Sequence, residues 1–124
     1  MATAASQSFT VILADRNRHI RELLSRELIR EGFEVKGCGL GRLAASLAAV
    51  RADLLVVDTE LPDMDALSVI QLVRTTRPKL PVAVYAYEEE DAAPCLKEPE
   101  VFFVHKGDDP EQLVRAVRGM LFRR

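Results

Sequence analysis

The chain has 124 residues, 48% of them hydrophobic, which suits a single domain with a real core. Its 17 basic and 19 acidic side chains leave a net charge of −2, so the broad basic face of a nucleic-acid binder is not expected. No apolar run approaches the roughly 18–20 residues of a membrane span, and the two cysteines, Cys38 and Cys95, have no metal-type spacing and read as idle thiols in a reducing cytoplasm.

The opening MATAASQS lacks the charged-then-apolar order of a signal peptide and is expected to be a disordered tail over residues 1–8. Residues 9–124 form the domain. Phe9–Ala14 is a continuous apolar run, the mark of a strand covered on both faces. The following helix has Asn17 as N-cap, an apolar stripe of Ile20, Leu23, Leu24 and Leu28, and Gly32 as its stop. FEVKGC is a short, more polar strand that belongs at a sheet edge. In GLGRLAASLAAVRA a second helix presents Leu40, Leu43, Leu47 and Val50 on one face.

Asp53–Asp58, DLLVVD, is the clearest buried strand. A third helix shows Ala66, Val69, Ile70 and Val73 at i, i+3, i+4 and i+7, and Leu80–Ala86 is a fourth strand. Pro94 and Pro99 then limit any helix to a short or broken one. Val101–Lys106 is the fifth strand. The last helix has Asp109 as cap, Pro110 at its first position and Gln112 to complete a capping box, with Leu113, Val117, Met120 and Leu121 inward. Its arginines 115, 118, 123 and 124 suit a helix C-terminus.

Strands alternating with helices imply an α/β fold, a parallel sheet between two helical layers. The flavodoxin-like three-layer arrangement, five βα units in strand order 2-1-3-4-5, puts its site beyond the carboxyl ends of strands 1 and 3. That rule selects Asp15–Arg16 and Asp58, with Lys106 at the end of strand 5 on the same rim. His19 and His105 have no paired ligand spacing and read as surface or core-edge residues. Glu88–Asp91 reads as a solvated acidic turn, and Gly39–Gly41 follows the wrong strand for a dinucleotide site.

Three segments carry a resemblance. VILAD…HIRELLSRELIREGFEV, ADLLVVDTELPDMDAL and FVHKGDDPEQLVRAVRGML are similar, in content and spacing, to the receiver domain of bacterial two-component response regulators, over about residues 9 to 122. The resemblance implies a signalling module rather than an enzyme, cytoplasmic, with Asp58 as phospho-acceptor for a histidine kinase. It also implies Lys106 as the phosphate-contacting lysine, Asp15 as an acidic-pocket residue, and Glu60 as a backbone contact to Mg²⁺. Where the family keeps a second acid beside Asp15, this chain has Arg16, and a guanidinium neither deprotonates nor binds a cation.

The sequence therefore suggests that Arg16 occupies the metal's place as a built-in counter-charge. The competing placement swings Arg16 into solvent beside a weakened Mg²⁺ site built on Asp15 and Asp58. Other departures fall on the same rim. Ala86 stands at the switch position that usually carries a hydroxyl, and Tyr87 stands where a small residue is usual. Gly107 replaces a proline, Ala66 a glycine, and Phe103 holds the aromatic switch position. The expectation is an atypical, pseudo-receiver variant with no cofactor or only weakened Mg²⁺. It would act by protein contacts with signalling partners, with neither nucleic acid nor membrane as a partner, and could form a homodimer through the strand 4–strand 5–helix 5 face. The alternative is a working phospho-receiver modified on Asp58.

Overall fold

The computed structural model describes residues 8–107 and 109–122; most of the expected N-terminal tail, Arg123 and Arg124 lie outside this range. Five strands form one parallel sheet: β1 (Thr10–Ala14), β2 (Glu34–Cys38), β3 (Leu54–Asp58), β4 (Val82–Ala86) and β5 (Val101–His105). Their order is β2-β1-β3-β4-β5, as the strand–helix alternation suggested. The helices between them are α1 (Arg18–Arg30), α2 (Gly41–Val50), α3 (Ala66–Arg74), the four-residue α4 (Glu89–Ala92) and α5 (Glu111–Phe122).

Period-two alternation in the central strands divides the core into two layers. Ile12, Ala14, Leu55, Val57, Val82 and Val84 face the side covered by α2 and α3. Val11, Leu13, Leu54, Val56, Ala83 and Tyr85 face the side covered by α1 and α5. Both faces are packed, which is why β1, β3 and β4 read as unbroken apolar runs. β2 pairs only with β1, and its exposed Glu34 and Gly37 mark it as an edge.

Local signals set the helix ends. The Asn17 side chain accepts the Ile20 N–H at 3.1 Å and opens α1. Gly32, at φ +98°, follows the end of α1 in the left-handed region that favours glycine. Asp65 caps α3 by accepting the Ser68 N–H at 2.8 Å, and Asp109 accepts the Glu111 N–H at 2.9 Å where α5 begins. Pro94 falls in a single 3₁₀ turn, Ala93–Cys95, that replaces any continuation of α4.

Two helices do not bury the whole of their apolar stripe. On α1, Leu24 and Leu28 are buried, but Leu23 is 41% exposed. On α2 the stripe of large residues is not the one the domain buries: Leu40, Leu43 and Val50 are 44%, 45% and 78% exposed and Leu47 is partly buried, while Gly41, Ala44, Ala45 and Ala48 are buried. Close approach is the reason. A Cβ built on Gly41 would lie 2.5 Å from Val69 Cγ2 and 2.6 Å from Met64 Cγ, so α2 packs here only through its smallest residues.

Candidate functional site

At the carboxyl ends of the strands three charged side chains are buried together: Asp15, Asp58 and Lys106 are 1%, 2% and 5% exposed. Asp15 immediately follows β1, Asp58 ends β3, and Lys106 follows β5 with its N–H donated to the Ala86 carbonyl at 2.7 Å. The rim predicted from strand ends is thus a single constellation.

Lys106 sits between the two acids. Its Nζ lies 3.1 Å from Asp15 Oδ2 and 3.1 Å from Asp58 Oδ1. Towards Asp58 the contact is an aligned hydrogen bond. Towards Asp15 it is an ion pair at contact distance, and Asp15 Oδ2 has no aligned donor. The Tyr85 and Tyr87 rings complete the surroundings, their centroids 5.4 and 5.3 Å from the ammonium, within range of a cation–π attraction.

Backbone amides hold the carboxylates. Asp15 Oδ1 accepts the Asn17 N–H at 2.8 Å, and Asp58 accepts the Glu60 N–H at 3.1 Å and the Arg16 N–H at 3.3 Å. Burial pushes the Asp15 carboxyl above its ordinary range, in spite of the Asn17 amide and Lys106. Burial also works to lower Lys106, but Asp15 and Asp58 together outweigh it and the ammonium is held above its usual value. Two carboxylates share one ammonium in a site removed from water.

The arginine does not provide the counter-charge expected of it. Arg16 is exposed, and among the described residues its guanidinium forms no ion pair. Only its backbone N–H touches Asp58. The cation between the acids is Lys106. Residue 16 starts the turn into α1, and that turn directs its amide inward and its side chain to the rim. The solvent-facing alternative describes its position.

The remaining positions lie on the same rim. Ala86 is fully buried at the end of β4 and offers only a methyl group. Phe103 is partly buried against the α2–α3 side of the core. Glu60 is exposed, with its N–H committed to Asp58. Tyr87, 52% exposed, stands at the mouth of the cleft, whose volume is about 390 Å³. A larger groove of about 460 Å³ runs between α1 and β2, but its lining holds no buried charge. His19 and His105 are both exposed.

Two supporting residues escaped the sequence reading. Arg21 donates to the Asp15 carbonyl at 2.8 Å, and a Cβ on Gly39 would fall 2.9 Å from its Nη1, so glycine leaves the path open. Asp63 accepts the Gly41 and Arg42 N–H groups at 2.7 and 2.9 Å, tying the loop after β3 to the start of α2. Leu40, the residue in N-cap position, has no capping side chain, and that gap is the signal that could have pointed to a borrowed cap.

Mg²⁺ prefers six oxygen ligands in a tight octahedron. This cleft offers Asp15 and Asp58, both already facing Lys106, and Arg16 follows Asp15 in the chain. Among the described residues no group of three or more His, Cys, Asp or Glu side chains is arranged to hold a metal.

Strand order and strand-end chemistry together define a receiver-type α/β module. The response regulator receiver domain family matches residues 11–118, and the chain belongs to that family. Among curated relatives, the “probable transcriptional regulatory protein TcrX” of Mycobacterium tuberculosis is 32% identical over 99% of this chain and 54% of its own length. The chain thus spans about half of that relative's length. Chemotaxis response regulator CheY4 of Vibrio cholerae superposes with a TM-score of 0.83 at 23% identity, covering 91% of this chain and 98% of that one. The response regulator TrrA of Thermotoga maritima, solved with Mg²⁺ and BeF, gives 0.79 at 23% identity, covering 90% and 98%. These two likenesses concern the fold. No helix among the described residues is long and apolar enough to cross a membrane.

Proposed function

We propose that this receiver domain is atypical: its acid cleft is held by Lys106 rather than by Mg²⁺, phosphoryl transfer to Asp58 is impaired, and it signals through protein contacts. The observation that carries this reading is the Lys106 ammonium 3.1 Å from both Asp15 and Asp58, with Arg16 where a further acid would be required. Phosphoryl transfer concentrates negative charge on oxygen and needs preplaced cations and donors. Ala86 supplies no hydroxyl, and Tyr87 narrows the approach to Asp58. The partners are a histidine kinase or a downstream signalling protein in the cytoplasm, met through the β4–β5–α5 face, which could also pair two copies.

The second reading, a working phospho-acceptor, draws on the Lys106–Asp58 hydrogen bond. A lysine so placed could receive phosphoryl oxygens, and Asp58 could attack the donor as a carboxylate nucleophile. Treatment with a small acyl phosphate in the presence and absence of Mg²⁺, followed by intact-mass analysis, separates the two. The atypical reading expects little or no modification. Rapid, Mg²⁺-dependent gain of one phosphoryl group on Asp58 refutes it.

A further inference from the structure

We propose that the outward face of α2 docks an amphipathic helix of a partner protein, one whose apolar seam is flanked by acids. Leu40, Leu43, Leu47 and Val50 recur at spacings of three, four and three residues, the alternation of a helix–helix seam. Leu40, Leu43 and Val50 are 44–78% exposed, and Leu47 is half-buried. Scattered apolar residues on a surface need no explanation, but three exposed along one seam, with the half-buried Leu47 between them, form a patch. The opposite side of α2 is already satisfied: Gly41, Ala44, Ala45 and Ala48 pack on the domain, so the helix cannot roll to bury the larger residues without losing that contact.

Charge identifies the occupant. From Val35 to Ala52 the chain carries Lys36, Arg42 and Arg51 and no Asp or Glu. Arg42 and Arg51 are exposed near the two ends of the seam. At the C-terminal end Arg77 donates to the Ala48 and Val50 carbonyls at 2.9 and 3.1 Å, adding a further positive charge. A second copy of α2 would set Arg42, Arg51 and Arg77 against their own kind, with Asp63, already bonded to the Gly41 and Arg42 amides, as the compensating acid at one end, and like charges across an interface are unfavourable. An acid-flanked helix meets the patch on both counts. The face is also tied to the cleft: Asp63, in the loop that follows Asp58 and Glu60, holds the α2 N-terminus through two hydrogen bonds.

The test uses a labelled synthetic helix, about three heptads long, with Leu at the seam positions and Glu at the flanks. A control peptide carries Lys at the flanks. Fluorescence anisotropy should show binding of the Glu peptide only. The Leu43→Ser, Val50→Ser double variant should weaken that binding about tenfold, and Arg42→Ala with Arg51→Ala should weaken it while lowering its salt dependence. All four side chains are exposed, and circular dichroism verifies the fold. Absence of binding, or equal binding of both peptides, overturns the proposal. So does sedimentation of the wild type as a dimer that the Leu43→Ser, Val50→Ser variant dissolves, since the occupant is then a second copy.

Discussion

The buried carboxylates of Asp15 and Asp58 share a single ammonium, that of Lys106. Two acids taken out of water repel each other, and the Lys106 ammonium between them offsets that repulsion. Removing it is therefore more damaging than losing a surface ion pair. Lys106→Met should cost about 3–5 kcal/mol, the range for leaving buried charge uncompensated. Urea unfolding at neutral pH measures it, and Asp58→Asn in the Lys106→Met background should recover part of the loss.

The same cluster sets a pH dependence. Lys106 is held above its ordinary 10.5, so it binds its proton more tightly when folded. Its contribution is complete below 10.5 and is lost as pH rises through the folded value. The urea midpoint of the wild type should therefore fall on the alkaline side, with a shallower slope in Lys106→Met. Asp15 is raised above 3.8 chiefly by burial. Its own contribution falls as pH climbs from 3.8 through that raised value, and Asp15→Asn should remove this step.

Replacing Arg16 by aspartate tests the missing acid. The side chain already lies at the mouth of the cleft and pairs with nothing among the described residues, so Arg16→Asp removes a cation and adds an oxygen ligand without breaking a contact. Calorimetry should show Mg²⁺ binding by the variant and none, or far weaker, by the wild type. Equal affinity in the two proteins contradicts the role given to this position.

Tyr87 contributes through its ring, 5.3 Å from Lys106 Nζ. Tyr87→Ala should destabilise by about 0.5–1 kcal/mol, as for a partly exposed cation–π contact. It should also widen the cleft, so that any slow modification of Asp58 by an acyl phosphate becomes faster. Tyr87→Phe keeps the ring and should behave as wild type.

Gly41→Ala should destabilise by about 1–3 kcal/mol, the usual penalty of overpacking. The added methyl would meet buried Val69 and partly buried Met64. A thermal melt reads the loss. Gly119→Ala is the control: nothing lies within 4 Å of its Cβ, and alanine favours a helix.

The sheet was legible because β1, β3 and β4 are buried on both faces and are apolar along their length, with Thr10 and Asp58 only at the ends of β1 and β3. Asp15, Asp58 and Lys106 were legible because parallel strands bring their carboxyl ends to one side. The face of α2 was not, since a helical period identifies a stripe of large residues but does not say which side of the helix the domain needs. Where backbones come close, as at Gly41, small residues take the inside. Arg16 was misread for a related reason: adjacency to Asp15 in the chain does not determine which way a side chain leaves the turn before α1. Asp63 and Arg21 act across the fold, on Gly41 and on the Asp15 carbonyl, and each needed the three-dimensional neighbourhood to be seen.

Between β4 and β5 the chain crosses over with a four-residue helix and one 3₁₀ turn, anchored in the core by Ala92, Cys95 and the partly buried Leu96. So few anchors make this crossover the seam along which the domain opens first, well below the free energy of global unfolding. Its amides should exchange with deuterium early while those of β1 and β3 stay protected. Partial opening there would uncover the adjoining face of β4 and β5 without melting the rest, making this strap a weak point against proteases.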